Sequence, residues 1–208
     1  MAAANPTLLI SNSMIPGMAL ELPPATRRNR DWFYDLCQAN GDLQFEQTAE
    51  GDIIVMAPAG GESGDRESEV IWQLRTWAKR EGSGRAFGCN TGFRLPNNAT
   101  RAPDASWVLN SRLDKLKPSE RRKFFPLCPD FVIEIVSPSD RLPQVRAKMV
   151  EYLANGARLG WLIDPKAGKV YVYRPNEKVQ CKSGVRQISG APELPGFVLK
   201  LSEIWKPF

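Results

Sequence analysis

Between Pro129 and Val136 the sequence reads PDFVIEIV, and one charge inside it limits the possible folds more than any other feature. Phe131, Val132, Ile133, Ile135 and Val136 form an apolar, β-branched run, the pattern of a strand covered on both faces. Glu134 stands inside that run. A carboxylate there is costly unless a cation, a metal or a hydrogen-bond donor meets it. Ser137-Pro138-Ser139-Asp140 breaks the strand and offers N-cap residues to a following helix. Leu142, Val145, Met149, Tyr152 and Leu153 then recur at helical spacing, and Asn155-Gly156 ends the pattern. Lys148 flanks that stripe, one turn from Val145 and Tyr152, so it can reach toward the sheet. The unit fits two outcomes, a structural Glu–Lys ion pair or a metal-dependent site.

A chain of 208 residues suits one sizeable domain better than two. Residues 1–25 are rich in Pro, Ala and Ser and are expected to form a poorly ordered N-terminal arm; residues 26–208 are expected to form the single domain. No window approaches the roughly 18 apolar residues of a membrane span, and the start of the chain has no basic leader. The expectation is a cytoplasmic protein with no membrane partner.

The sequence contains no histidine, which removes Ser-His-Asp, Cys-His and His-based phosphotransfer chemistry. Cys37, Cys89, Cys128 and Cys181 are far apart, so neither a zinc site nor a disulfide framework is indicated. Any hydrolysis must run on carboxylates, lysine and a hard metal ion. A net charge of +5 fits a polyanionic partner. Basic residues cluster at Arg27–Arg30, Lys115–Lys117 and Arg121–Lys123, as a nucleic-acid surface or as ordinary solvated charge.

Segment by segment, DWFYDLCQAN reads as a short helix, and LQFEQTAEGDIIVMAP as a hairpin turning at Glu50-Gly51-Asp52. A helix is expected from Asp65, with Val70, Ile71, Leu74, Trp77 and Ala78 inward. On that helix Glu67 lies on the inward side and Glu69 on the polar side, so if one of them joins a site geometry favours Glu67; the other reading is an exposed first-turn glutamate that favours the helix dipole. RAFGCNTGFRLP reads as one strand bent by glycines, and Asp104 opens the next strand, with Trp107, Val108 and Leu109. Residues 113–125 form a polar insertion. LGWLIDP and KVYVYRP pair across Pro165–Gly168, and the apolar tail PELPGFVLKLSEIW closes a sheet edge or covers a partner surface.

Asp104 and Glu134 thus fall on neighbouring strands with Lys148 close by, the set that metal-assisted phosphodiester hydrolysis needs. Pro103-Asp104 followed by Glu134 resembles the PD-(D/E)XK nuclease superfamily. PDASWV, CPDFVIEIVSPSD, AKMVEYLANGARLGWLIDP and VYVYRP resemble its Uma-type branch of restriction-endonuclease-like proteins, over most of the chain from about Leu43 to Trp205. The resemblance implies an α/β (α+β) fold, a central mixed β-sheet flanked by helices with an αβββαβ core and an N-terminal β-hairpin. It implies Mg²⁺ or Mn²⁺ held by Asp104 and Glu134, helped by the Ile135 carbonyl. Val136 occupies the place of the motif's lysine, so Lys148 on the following helix takes that role; Glu67 matches an accessory acid of the first helix. Asp130 makes a second Pro-Asp pair but sits on the same strand as Glu134, which leaves Asp104 as its partner. The implied function is an endodeoxyribonuclease acting on DNA, working as a homodimer. The alternative is a catalytically inactive DNA- or protein-binding module in which these charges merely pair.

Overall fold

The run Phe131–Ile135 is a strand whose residues are all buried, and the other elements are arranged around it. The computed structural model describes residues 8–9 and 31–208. Apart from Leu8–Leu9, the expected arm and the Arg27–Arg30 cluster lie outside the described residues. In chain order the first half comprises β1 (Leu8–Leu9), α1 (Trp32–Ala39), β2 (Gln44–Gln47), β3 (Ile53–Met56), α2 (Gly61–Glu81), β4 (Gly84–Gly88), β5 (Phe93–Arg94) and β6 (Thr100–Arg101). The second half holds β7 (Ala105–Leu109), α3 (Asn110–Leu113), α4 (Pro118–Arg121), β8 (Phe131–Ile135), α5 (Leu142–Ala154) and β9 (Leu159–Asp164). β10 (Lys169–Tyr173), β11 (Gln180–Ser183), β12 (Gln187–Ser189), β13 (Val198–Lys200) and α6 (Ser202–Trp205) complete it.

The central sheet is mixed, with strand order β11-β10-β9-β8-β7-β4. Only β8 and β9 run parallel, because α5 carries the chain back between them; the other neighbours are antiparallel. The series α2–β4–β7–β8–α5–β9 is the αβββαβ core. The unbroken apolar run of β8 follows from burial on two faces. Phe131, Ile133 and Ile135 join Val70, Leu74 and Trp77 of α2, while Val132 packs with Val145, Met149 and Tyr152 of α5.

The C-terminal tail belongs to the α2 face. Leu194, Phe197, Leu199, Leu201 and Ile204 are all buried in the same cluster as α2, and the Phe197 ring stacks on Trp161 with centroids 5.7 Å apart. β12 and β13 form a separate two-stranded sheet, and these tail residues serve the core of this chain. The N-terminal hairpin β2–β3 belongs to a second sheet, in the order β1-β3-β2-β6-β5.

Local structure departs from the sequence reading at three places. RAFGCNTGFRLP is two strands in two sheets, β4 and β5, because Thr91 N–H closes a turn on the Gly88 carbonyl at 3.0 Å and Gly92 lies where any Cβ would strike the Phe124 ring. α2 begins at Gly61, not Asp65, with Gly60 as its N-cap. The Asp140 carboxylate does not cap α5; it accepts a hydrogen bond from Ser137 N–H at 2.7 Å, and Arg141 occupies the N-cap without a side-chain bond.

The aromatic packing of the α2 face sets a test. A Cβ on Gly84 would stand 2.5 Å from the Val108 carbonyl oxygen and against the Trp107 indole. Gly84→Ala is expected to lower the unfolding free energy by about 2 kcal/mol in a urea titration. A loss below about 0.5 kcal/mol would mean that β4 shifts away from β7 without cost.

Candidate active site

Ala105 pairs with Ile133 in the antiparallel register of β7 and β8, so Asp104, one residue earlier, faces Glu134. Asp104 replaces the next rung of the ladder with its side chain: Ile135 N–H donates to its Oδ2 at 2.6 Å. A strand residue presents its N–H and C=O toward the same edge, so the Ile135 carbonyl also leaves β8 on the Asp104 side. Glu134 shares the α5 face with Val132, and Lys148 and Tyr152, one helical turn apart, meet it there. Lys148 Nζ is 2.9 Å from Glu134 Oε1, and Tyr152 OH donates to the same oxygen at 2.9 Å.

Lys148 has a second carboxylate. Its Nζ lies 2.9 Å from Oε1 of Glu46, a buried residue of β2 in the other sheet. Glu46 also accepts from Ala102 N–H at 3.0 Å and from Arg101 Nη1 at 3.1 Å. Arg101 Nε in turn donates to Glu151 Oε2 at 2.6 Å, and Asn97 Nδ2 donates to Glu151 Oε1 at 2.9 Å. Charges alternate in sign from Glu151 through Arg101, Glu46 and Lys148 to Glu134. The network ties β6, β2, α5 and β8 together.

Asp104 stands beside this network without a cation of its own. Burial and the Glu134 charge push its carboxyl well above the usual carboxylate range; Lys148 and the Ile135 N–H pull the other way without prevailing. Burial likewise raises Glu134, against the pull of Lys148. At Glu46 burial acts in the same sense, but Lys148 and Arg101 outweigh it and hold the carboxyl below its ordinary value. Lys148 is kept strongly protonated: burial disfavours its charge, and Glu134 and Glu46 more than restore it.

Glu67 is half-buried on α2, and burial raises its carboxyl while the Cys89 thiol offsets part of that. Its charge adds to the push on Asp104, so α2 brings Glu67 to the site. Glu69 faces elsewhere: its Oε1 accepts from Gln73 Nε2 at 2.7 Å, and the same amide bonds the Lys200 carbonyl. Asp130 lies at the far end of the strands, bracketing Leu109 N–H at 3.0 Å and Arg112 at 3.0 Å. Among the sequence-read residues, the structure therefore gathers Asp104, Glu134, Lys148 and Glu67.

Glu46 as a partner of Lys148, and Arg101 and Glu151 behind it, were not legible. Glu46 stands between Phe45 and Gln47 in a short hairpin strand, and nothing local marks which face meets another sheet. Tyr152 could have been found, because a tyrosine in an otherwise aliphatic helix stripe carries a hydroxyl that burial obliges to find a partner.

Among the described residues no group of three or more His, Cys, Asp and Glu side chains stands in metal-holding geometry. A cation here would take the Asp104 and Glu134 carboxylates with the Ile135 carbonyl, an all-oxygen set suited to a hard divalent ion. The fit is electrostatic as well. Among the described residues the ion pairs of Glu134, Glu46 and Glu151 are with Arg101 and Lys148, and Asp104 has none.

This shortage has a thermodynamic sign. A carboxyl raised above its ordinary 3.8 contributes stability below that pH and loses it as pH rises through its folded value. Asp104→Asn keeps an acceptor for Ile135 N–H and removes the charge. Its melting temperature is expected to exceed that of the wild type in metal-free buffer at neutral pH, by about 3 °C or more, with the gain vanishing in acid and shrinking when Mg²⁺ is added to the wild type. A neutral-pH melting temperature equal to or below the wild type's would show that Asp104 is already compensated.

The family profile Uma2, described as "Putative restriction endonuclease", matches residues 30–202. No curated protein matches the chain. Among solved structures, the chain is similar to "a putative nuclease belonging to DUF820" from Anabaena variabilis. The two share 25% identity and a TM-score of 0.66, over 77% of this chain and 89% of that one. With a family match spanning the whole central sheet and every residue of the site, the chain belongs to the Uma2 family.

Proposed function

We propose that this protein is a divalent-cation-dependent endodeoxyribonuclease that hydrolyses phosphodiester bonds. The observation that carries this function is the end of β7 and β8, where Asp104 and Glu134 converge beside Lys148 and Asp104 lacks a counter-cation. The Uma2 membership and the likeness to the Anabaena variabilis protein of DUF820 support it. Asp104, Glu134 and the Ile135 carbonyl would hold Mg²⁺ or Mn²⁺. Such an ion, when bound, acidifies a water and neutralises phosphate charge. Lys148, protonated and fixed between Glu134 and Glu46, orients the attacking water and balances charge on the phosphorus-bound oxygens. Tyr152 holds the Glu134 carboxylate in place through its hydroxyl, and Glu67, half-buried and near enough to Asp104 to act on its charge, would accept a hydrogen bond from a metal-bound water at the outer edge of the site. Cleaving both strands of a duplex asks for two such sites related by symmetry, so a homodimer accompanies this activity.

One observation favours the catalytically inactive module: Lys148 is already satisfied by two carboxylates, as a closed structural pair would be. Nicking of supercoiled plasmid in Mg²⁺ or Mn²⁺, with EDTA as the control, separates the two. The wild type is expected to cut, the Asp104→Ala/Glu134→Ala variant to lose all cleavage, and Lys148→Met to lower kcat by roughly 10²–10³. Protein that is folded and monodisperse but neither cuts nor binds Mg²⁺ by calorimetry would establish the inactive module.

A further inference from the structure

The basic clusters that stand out in the sequence do not lie at the site. Lys115, Lys117 and Arg121–Lys123 sit on the insertion between the carboxyl end of β7 and the amino end of β8. The site is at the other end of those strands, roughly 15 Å away along β8. Two of these cations are also engaged within the chain, as is the neighbouring Arg112. Arg121 Nη2 donates to the Leu113 carbonyl at 3.1 Å, Lys123 Nζ meets Asp31 at 2.7 Å, and Arg112 pairs with Asp130.

The topology brings a different set of cations to the site. β8 and β9 are parallel, so their carboxyl ends lie side by side, and Ile135 pairs with Ile163 at the last rung. The chain leaves that end of β8 through residues 136–141 and enters α5 just after Arg141. It leaves β9 through the Pro165–Gly168 turn, which carries Lys166, and starts β10 at Lys169. Lys169 and Tyr171 are two residues apart, on the face of the sheet that α5 covers. Arg146 of α5 lies over the Tyr171 ring, with its guanidinium carbon 4.6 Å from the centroid. Arg141, Arg146 and Lys166 are exposed and Lys169 half-exposed. No ion pair involves them among the described residues. The two acids of these turns are committed to backbone: Asp140 accepts from Ser137 N–H at 2.7 Å, and Asp164 from Ala167 N–H at 3.0 Å.

We propose that the phosphodiester backbone of the nucleic acid docks on Arg141, Arg146, Lys166 and Lys169, at the carboxyl ends of β8 and β9, and that this row leads the strand to Asp104 and Glu134. The surface rests on the nuclease function proposed above and specifies where its substrate lies. Neighbouring strands are about 4.8 Å apart, so the Lys166 turn stands one strand away from Glu134, and Asp104 one strand away on the other side. Cations there contact phosphate without reading bases, which gives sequence-independent, salt-sensitive binding.

The test is the salt dependence of binding to a short fluorescent DNA duplex, measured by anisotropy in EDTA so that nothing is cut. Each phosphate contact contributes about 0.9 to the slope of log affinity against log salt. Lys166→Ala/Lys169→Ala is expected to reduce the slope by about 1.8. Lys115→Ala/Lys117→Ala/Arg122→Ala, at the opposite end of the strands, is expected to leave it unchanged. All of these side chains are exposed or half-exposed, so both variants should keep the wild-type melting temperature. An unchanged slope in the Lys166/Lys169 variant, or a fall confined to the other variant, overturns the proposed surface. Plasmid cleavage by the wild type separates the two levels of failure. A wild type that cuts while the Lys166/Lys169 variant keeps its full slope refutes the surface alone. A wild type that neither binds the duplex nor cuts refutes the nuclease function and the surface with it.

Discussion

Lys148 is held by two carboxylates that belong to different sheets, and the arrangement of this molecule depends on that shared contact. Glu134 comes from the central sheet and Glu46 from the hairpin sheet. α5, which carries Lys148, is the element that packs Val132 and Leu162 on one side of the core. Neither carboxylate could be buried alone, because an unpaired buried charge costs several kcal/mol. The lysine makes both tolerable, and Arg101 meets the remaining demand of Glu46 before passing the chain of charges to Glu151. Losing any one member would strand its neighbours. Buried ionic networks are weak sources of net stability, but they reject alternative packings, since any shift in register or docking leaves a charge exposed to an apolar wall. Here the network fixes how the hairpin sheet sits against the central one.

Much of this was legible in the sequence, and the parts that were share a physical trait. The β8–α5–β9 unit could be read because its signals are periodic and local: an apolar run, a break, a helical stripe and an Asn-Gly stop. The same periodicity placed Lys148 on the sheet-facing flank of its helix. Asp104 and Glu67 followed from their positions relative to such elements. What could not be read depends on contacts between segments distant in sequence. Glu46 meets Lys148 only because β2 pairs with β6 at the rung Gln47–Thr100, which docks the hairpin beside α5. The tail had two possible roles as an apolar segment, and only the packing of Phe197 against Trp161 and Phe131 assigns it to the core. The division of residues 84–94 between two sheets turned on Gly92, where a ring from a distant segment takes the space of a side chain.

Charge shows the same contrast between local and spatial information. Clusters of Lys and Arg along the chain draw attention to the insertion, yet such cations can be spent on other tasks, as Arg121 is on its own loop and Lys123 on Asp31 at the start of α1. Arg141 lies 25 residues from Lys166 in sequence and joins Lys166 and Lys169 only through the parallel pairing of β8 and β9. For a protein that works on a polyanion, proximity in space to the reacting bond matters more than local density of charge.

The overall charge of +5 and the character of the site pull in opposite directions. The surface as a whole favours an approaching phosphate chain, whereas Asp104, Glu134 and Glu67 would repel the phosphate at the point of reaction. Lys148 cannot reverse that sign, because Glu46 and Glu134 already claim its charge. In the proposed nuclease a divalent cation resolves the conflict, since a double charge on Asp104 and Glu134 turns a repulsive pocket into an attractive one. Burial first and the Glu134 charge second raise the Asp104 carboxyl. A residue serving stability alone at this position would be neutral, so in the proposed nuclease the cation is what makes an acid useful at the end of a buried ladder.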